Sequence, residues 1–319
     1  MVSTLEEKAP TRYRRALKAA AYVLAFGFLA YQLWRVRDGL GTSLRTVGWA
    51  SAVLATLLGI AGGIPGFFAW RVLLTKLDVR LPLVSAVRVF FLAGLARYLP
   101  GGVWPALAHA VAAKPLGAPP ARMAGAYLAS QVLGLVAGMA VGLLALPRLV
   151  AADPVWWILL PVLLAALVPL VSPRLLAAAF RGVRRVSRRR DAGAFPLPDR
   201  GTLLVATGLS AAGWVVTGLS VTLLTVAFGA PIGPAVLIGV GGFALSMLAG
   251  MLAVVMPSGL GVRDVILGLT LATLVSGPDL VTVVVLNRVV LTVGDLASTA
   301  VVLGLLGWTV KPGPKGGSS

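Results

Sequence analysis

Arg97-Tyr98-Leu99-Pro100-Gly101-Gly102 and Met256-Pro257-Ser258-Gly259-Leu260-Gly261-Val262-Arg263-Asp264 interrupt the most apolar parts of the chain in the same way. Each puts helix-breaking proline and glycine beside a full charge. Proline removes a backbone donor and clashes with the preceding turn, and glycine frees the backbone. A charge at bilayer depth costs about 2.5 to 3.5 kcal/mol even on the lenient insertion scale. Irregular backbone is tolerated at that depth only where protein or a wet cavity surrounds it. The two breaks therefore point to a polar site inside a helical membrane protein.

The composition fits. Of 319 residues, 58% are hydrophobic and 12% charged, and the mean hydropathy is +0.95. Apolar runs recur at or above the length of about 20 residues that crosses a bilayer. The longest polar stretch, 172–201, is too short and too basic for a folded catalytic module. With no cysteine and a single histidine, His109, thiol chemistry and a His- or Cys-ligated metal site are excluded. No P-loop is present, nor any carboxylate pair or Ser/His/Asp set, so the expectation is a protein without cofactor or metal and without catalytic residues.

Apolar spans are predicted at 16–34, 47–70, 123–147, 155–171, 202–228 and 280–306. The first is read as a retained helix and not as a cleaved signal. Between them, 83–99 and 103–114 flank the first break, and 234–256 and 265–276 flank the second. Each broken hairpin thus lies between two full spans, which predicts an all-α, polytopic bundle with two repeat units at about 47–147 and 202–306 within one membrane domain, 1–319. An odd number of crossings separates the hairpins, so the units are inverted copies. Whether 234–256 re-enters or crosses fully is left open.

Lysine and arginine distribution sets the orientation. With the N-terminus inside, the cytoplasmic side receives 20 of the 28 basic residues, the outside four, and the hairpins and spans the other four: Arg88, Arg97, Arg263 and Arg288. This asymmetry predicts a multi-pass protein of the cytoplasmic membrane with both termini in the cytoplasm. It also absorbs the net charge of +18, which in a soluble protein would suggest nucleic acid. The arginine cluster of loop 172–201 reads as topology signal with some attraction for anionic head groups.

The charges left in the membrane are the candidate site. Arg97 stands one turn before Pro100, where its guanidinium either reaches the pocket opened by the break or snorkels to the interface. Arg88 reads as an interfacial anchor. Arg263 and Asp264 open the arm after Gly259 and Gly261. Asp264 there is a helix cap or a counter-ion. Arg288 and Asp295 lie two turns apart on one face of the last span, which should look into the bundle. Arg288 pairs structurally with Asp264 or Asp295, or contacts substrate. His109 and Gln131 read as makers of interhelical hydrogen bonds.

This arrangement resembles the lysylphosphatidylglycerol synthase transmembrane, or flippase-like, family over almost the whole chain. The family pattern, Arg-x-x-Pro-Gly and later Pro-x-Gly-x-Gly-x-Arg-Glu, falls on Arg97, Pro100 and Gly101, then on Pro257, Gly259, Gly261, Arg263 and Asp264. Asp264 stands where the family has glutamate, and Trp104-Pro105 is stiffer than the pattern expects. The resemblance implies a stand-alone member without the synthase domain, one that moves lipid between leaflets. Arg97, Arg263 and Arg288 would hold the phosphate of an anionic or polyprenyl-linked lipid. Pro100, Gly101, Gly102, Pro257, Gly259 and Gly261 would shape the cavity, and Asp264 and Asp295 would act as counter-ions or proton carriers. A membrane-embedded enzyme or accessory subunit acting on lipid-linked glycans or lipid head groups is the alternative. The partner expected is a membrane lipid and no nucleic acid, with the oligomeric state left open.

Overall fold

The computed structural model describes residue 34 and residues 45–99, 102–161, 164, 198–252 and 261–306. All elements among them are helical. In chain order they are α1 Trp49–Lys76, α2 Leu83–Gly94, α3 Trp104–Ala113, α4 Pro120–Gly142, α5 Leu146–Ala152, α6 Arg200–Ala227, α7 Ile232–Leu252, α8 Val262–Leu271 and α9 Gly277–Leu306. Five of them, α1, α4, α6, α7 and α9, are long and apolar enough to cross a membrane. The expected span 16–34, most of 155–171 and the basic loop 172–197 fall outside the described residues, as do Pro100, Gly101, Pro257 and Gly259.

Several expected boundaries move, for local reasons. The span expected over 47–70 continues as helix to Lys76, because Arg71 and Lys76 are good helix formers and Leu73 and Leu74 between them are buried against the rest of the protein. The arm expected over 83–99 is α-helical only to Gly94 and tightens into a 3₁₀ turn over Leu95–Tyr98 as it nears the break. The span expected over 123–147 starts earlier, at Pro120, where proline suits a first turn, and ends at Gly142. The arm expected over 265–276 begins at Val262 and ends at Leu271. In α7, 21 residues correspond to roughly 31 Å of helix, enough to cross, so the hairpins are unequal: α2 and α3 are both short, whereas only α8 is short in the second.

The helix pair α1/α6 forms the spine. Both have 28 residues, and they run antiparallel: Lys76, at the end of α1, reaches Asp199, the N-cap of α6, at 2.8 Å. The Asp199 carboxylate also accepts from the Thr202 amide and hydroxyl at 2.9 and 2.8 Å. The lysine ammonium and these donors hold its carboxyl well below the usual carboxylate range. The helices touch near their midpoints. A Cβ on Gly62 would collide with the Thr217 side chain and lie 3.0 Å from the Thr217 amide, and one on Gly213 would lie 2.9 Å from the Gly62 carbonyl. Small residues four apart, Gly62/Gly66 facing Gly213/Thr217, let the backbones meet, the usual means of association in lipid.

The outer helices pack crosswise on this spine. α9 lies against α1 and α2, and α4 lies against α6 and α7. The largest buried cluster joins α6, α7, α8 and α9 through Leu224, Ile238, Leu267 and Leu286. A second joins α1, α2, α3 and α4 through Trp70, Val89, Ala113 and Met123.

Candidate functional site

Both breaks open into one cavity of about 630 Å³. The first contributes Arg97, Tyr98 and Gly102, the second Arg263, and α9 contributes Arg288 and Asp295. Gly59, Gly62, Gly63 and Gly66 line it from α1; at Gly63 a Cβ would meet nothing within 4 Å, so the missing side chain leaves room there, whereas at Gly62 Thr217 of α6 fills the space. Charges far apart in sequence thus share one space at the centre of the bundle.

The three arginines are held differently. Arg288 is engaged with Asp264, its Nη1 donating to both carboxylate oxygens at 2.9 and 2.8 Å. Asp264 accepts in addition from the Gly261 amide at 3.2 Å, so one carboxylate closes the ion pair and caps α8. Gly261 is the N-cap with φ +79°, a conformation open to glycine at little cost. Arg97 is tethered by its Nε to the Gly94 carbonyl at 2.9 Å, and its Nη1 lies 3.8 Å from Asp295 Oδ2. That oxygen is held more tightly by the Tyr98 hydroxyl, which donates at 2.7 Å. Helix α9 consequently binds the first break through Asp295 and the second through Arg288.

Arg263 is the exception. It is 6% exposed, it lines the cavity, and its Nε and one terminal nitrogen, Nη2, have no hydrogen-bond partner. It also stands in the first turn of α8, where the exposed end of the helix dipole is already positive. A cation opposes that dipole, so the position is unfavourable for structure alone. Both features attract an anion.

Neutral polar groups complete the lining. Ser130, Ser210, Ser298 and Thr299 each donate to a carbonyl of their own helix, at 2.7, 2.9, 3.0 and 2.8 Å. Their oxygens keep free lone pairs, so the walls present acceptors to whatever enters. Trp214 donates to the Gly134 carbonyl at 2.8 Å, fixing α6 to α4 beside the cavity.

Of the residues singled out in the sequence, Arg97, Gly102, Arg263, Arg288 and Asp295 come together in the cavity wall, and Asp264 lies directly behind Arg288. Gly261 is exposed at the start of α8 and does not line the cavity. Arg88 is buried at 8% exposure, which corrects its reading as an interfacial anchor. His109 is fully buried and bonds within its own helix, its Nδ1 donating to the Pro105 carbonyl at 2.8 Å, while its ring stacks on Tyr127. The expected interhelical hydrogen bond is replaced by that stacking. Trp104-Pro105 starts α3 normally, because proline fits a first turn. Sequence reasoning missed Tyr98 as the ligand of Asp295, for nothing local marks a contact across that much chain. It also missed the cavity-lining glycines of α1, although the spacing of Gly59, Gly62, Gly63 and Gly66 was a visible signal.

Residues 18–298 match the family model for the lysylphosphatidylglycerol synthase TM region. The chain belongs to this family. No curated protein and no solved structure matches it. Family membership and the five apolar helices make it a multi-pass membrane protein, and Arg97 and Arg263 both line its cavity.

Proposed function

We propose that this protein binds an anionic, phosphate-bearing lipid in its central cavity and moves it between leaflets of the cytoplasmic membrane. One observation carries the reading: Arg263 is buried in the cavity wall with two nitrogens unpartnered. A buried guanidinium with two donors unsatisfied is unfavourable. A phosphate oxygen would satisfy those donors with charge-assisted bonds that suit the planar guanidinium. Arg97 stays beside Asp295, tethered to the Gly94 carbonyl, and Arg288 shapes the site by fixing Asp264. The crosswise packing of α9 and α4 supports an inverted repeat, with the cavity at the meeting point of the two units, where such transporters place their substrate.

The test is reconstitution into vesicles holding fluorescent phosphatidylglycerol, phosphatidic acid, a polyprenyl phosphate and neutral controls. Wild-type protein should accelerate exchange of at least one anionic lipid over protein-free vesicles. Arg263→Ala should reduce that rate by about a hundredfold, as expected when roughly 3 kcal/mol of charge-assisted contact is lost. Folded wild-type protein that accelerates none of the panel would overturn the reading.

A further inference from the structure

We infer that the cavity selects a head group carrying one negative charge, a phosphodiester, over lipids that carry a diphosphate. The inference rests on the lipid-binding reading above and narrows its substrate class. It follows from the charges that face the cavity. Among the described residues the charged side chains of the wall are Arg97, Arg263, Arg288 and Asp295. Asp264 cancels Arg288 through two short bonds. Asp295 offsets Arg97 at 3.8 Å while Tyr98 pins the carboxylate in place. One positive charge is left, on Arg263, whose Nε and Nη2 are free to donate. The segments completing the two breaks, Pro100-Gly101 and Ala253–Leu260, contain no ionisable side chain, so they add nothing to this balance.

A phosphodiester brings one negative charge and two non-bridging oxygens, which match those two donors. A diphosphate brings at least two negative charges. Its second phosphate would find both other arginines already engaged and would meet the Asp295 carboxylate in the same space. An ionic group removed from water without a partner is strongly disfavoured, and a like charge nearby adds to the penalty. Asp295 is therefore the residue that excludes the second phosphate, by repulsion as well as by holding Arg97. It acts as a specificity determinant, whereas Arg263 supplies the attraction.

Two lipids with the same fluorescent acyl chain separate the cases: phosphatidylglycerol and diacylglycerol pyrophosphate. Their retention on purified full-length protein is read by native mass spectrometry, and their movement by quencher accessibility in vesicles. Wild type should retain phosphatidylglycerol about tenfold more strongly than the pyrophosphate. Asp295→Asn keeps an acceptor for Tyr98 but removes the charge, and should bring the two lipids to within about twofold of each other. Arg263→Gln should lose phosphatidylglycerol. Arg263→Lys, which keeps the charge, should retain the preference at lower affinity and serves if the glutamine variant does not fold. Wild-type protein that retains neither lipid or favours the pyrophosphate, or an Asp295→Asn variant with unchanged selectivity, overturns the inference. Selective retention of phosphatidylglycerol with no movement of either lipid would instead leave this inference standing and remove the transport reading.

Discussion

Arg288 and Asp264 show how a charge pair inside a membrane protein divides its work. Their side chains are 15% and 25% exposed, so neither is well hydrated, and each is tolerable only because of the other. Removing one partner leaves an uncompensated charge. Arg288→Met should thus destabilise the protein by about 3 kcal/mol, and adding Asp264→Asn should restore most of that, since it removes the orphaned charge while its side-chain oxygen can still cap α8. Thermal denaturation in detergent of the two single variants and the double variant checks this; strictly additive losses would mean that the two residues are not coupled. This pair was partly legible in the sequence, because an arginine and a carboxylate at bilayer depth must find polar company, and Asp264 was one of two available carboxylates. The partner of Asp295 was not legible. Tyr98 reaches it from the 3₁₀ turn at Leu95–Tyr98 across nearly two hundred residues of chain, a contact set by tertiary packing and not by the local pattern.

Helix identity followed from apolar run length and helix ends did not, for a physical reason. Burial in lipid requires apolar residues, which makes α4, α6 and α9 visible as runs, whereas the ends of α1 and α2 lie where lipid gives way to water or to the break and composition no longer reports conformation. The α1/α6 crossing belongs to the same class: its signal is the spacing of small residues, which hydropathy does not register. At that crossing a side chain has nowhere to go. The atoms facing Gly62 include the Thr217 amide, and those facing Gly213 include the Gly62 carbonyl, so backbone opposes backbone. Gly62→Val should force the helices apart and lower stability by about 3 kcal/mol or more. By contrast Gly208→Ala, in the same helix pair but with nothing within 4 Å of an added Cβ, should stabilise by about 0.5 to 1 kcal/mol through helix propensity. Melting temperatures of the two variants moving in the same direction would contradict this account of the interface.

The antiparallel spine ties the orientation of the entire chain to one measurable fact, the side on which Lys76 and Asp199 meet. Their ion pair places the end of α1 and the start of α6 at the same membrane surface. The same end of the bundle carries Arg71, Arg80 and Arg122, a concentration of positive charge expected in the cytoplasm. Asp153 and the 3₁₀ turn Pro154–Ile158 follow α4 and α5 and so belong to the opposite surface, where among the described residues Arg148 and, just ahead of α1, Arg45 are basic. The chain has no cysteine, so single-cysteine variants report cleanly. Thr75→Cys, at the exposed end of α1, should react with a membrane-impermeant maleimide only after cells are permeabilised, and Ala152→Cys, exposed at the end of α5, should react in intact cells. The reverse pattern would invert the topology and move both termini outside. Labelling of both sites in intact cells would contradict the course of the first half of the chain, in which α2 and α3 return to the surface where α1 ends and α4 then crosses to the other. An inverted repeat makes one further demand on the same experiment. The first hairpin must open on the surface marked by Thr75 and the second on the surface marked by Ala152, so Leu116→Cys, just past α3, should follow the first site, and Ser276→Cys, just past α8, the second.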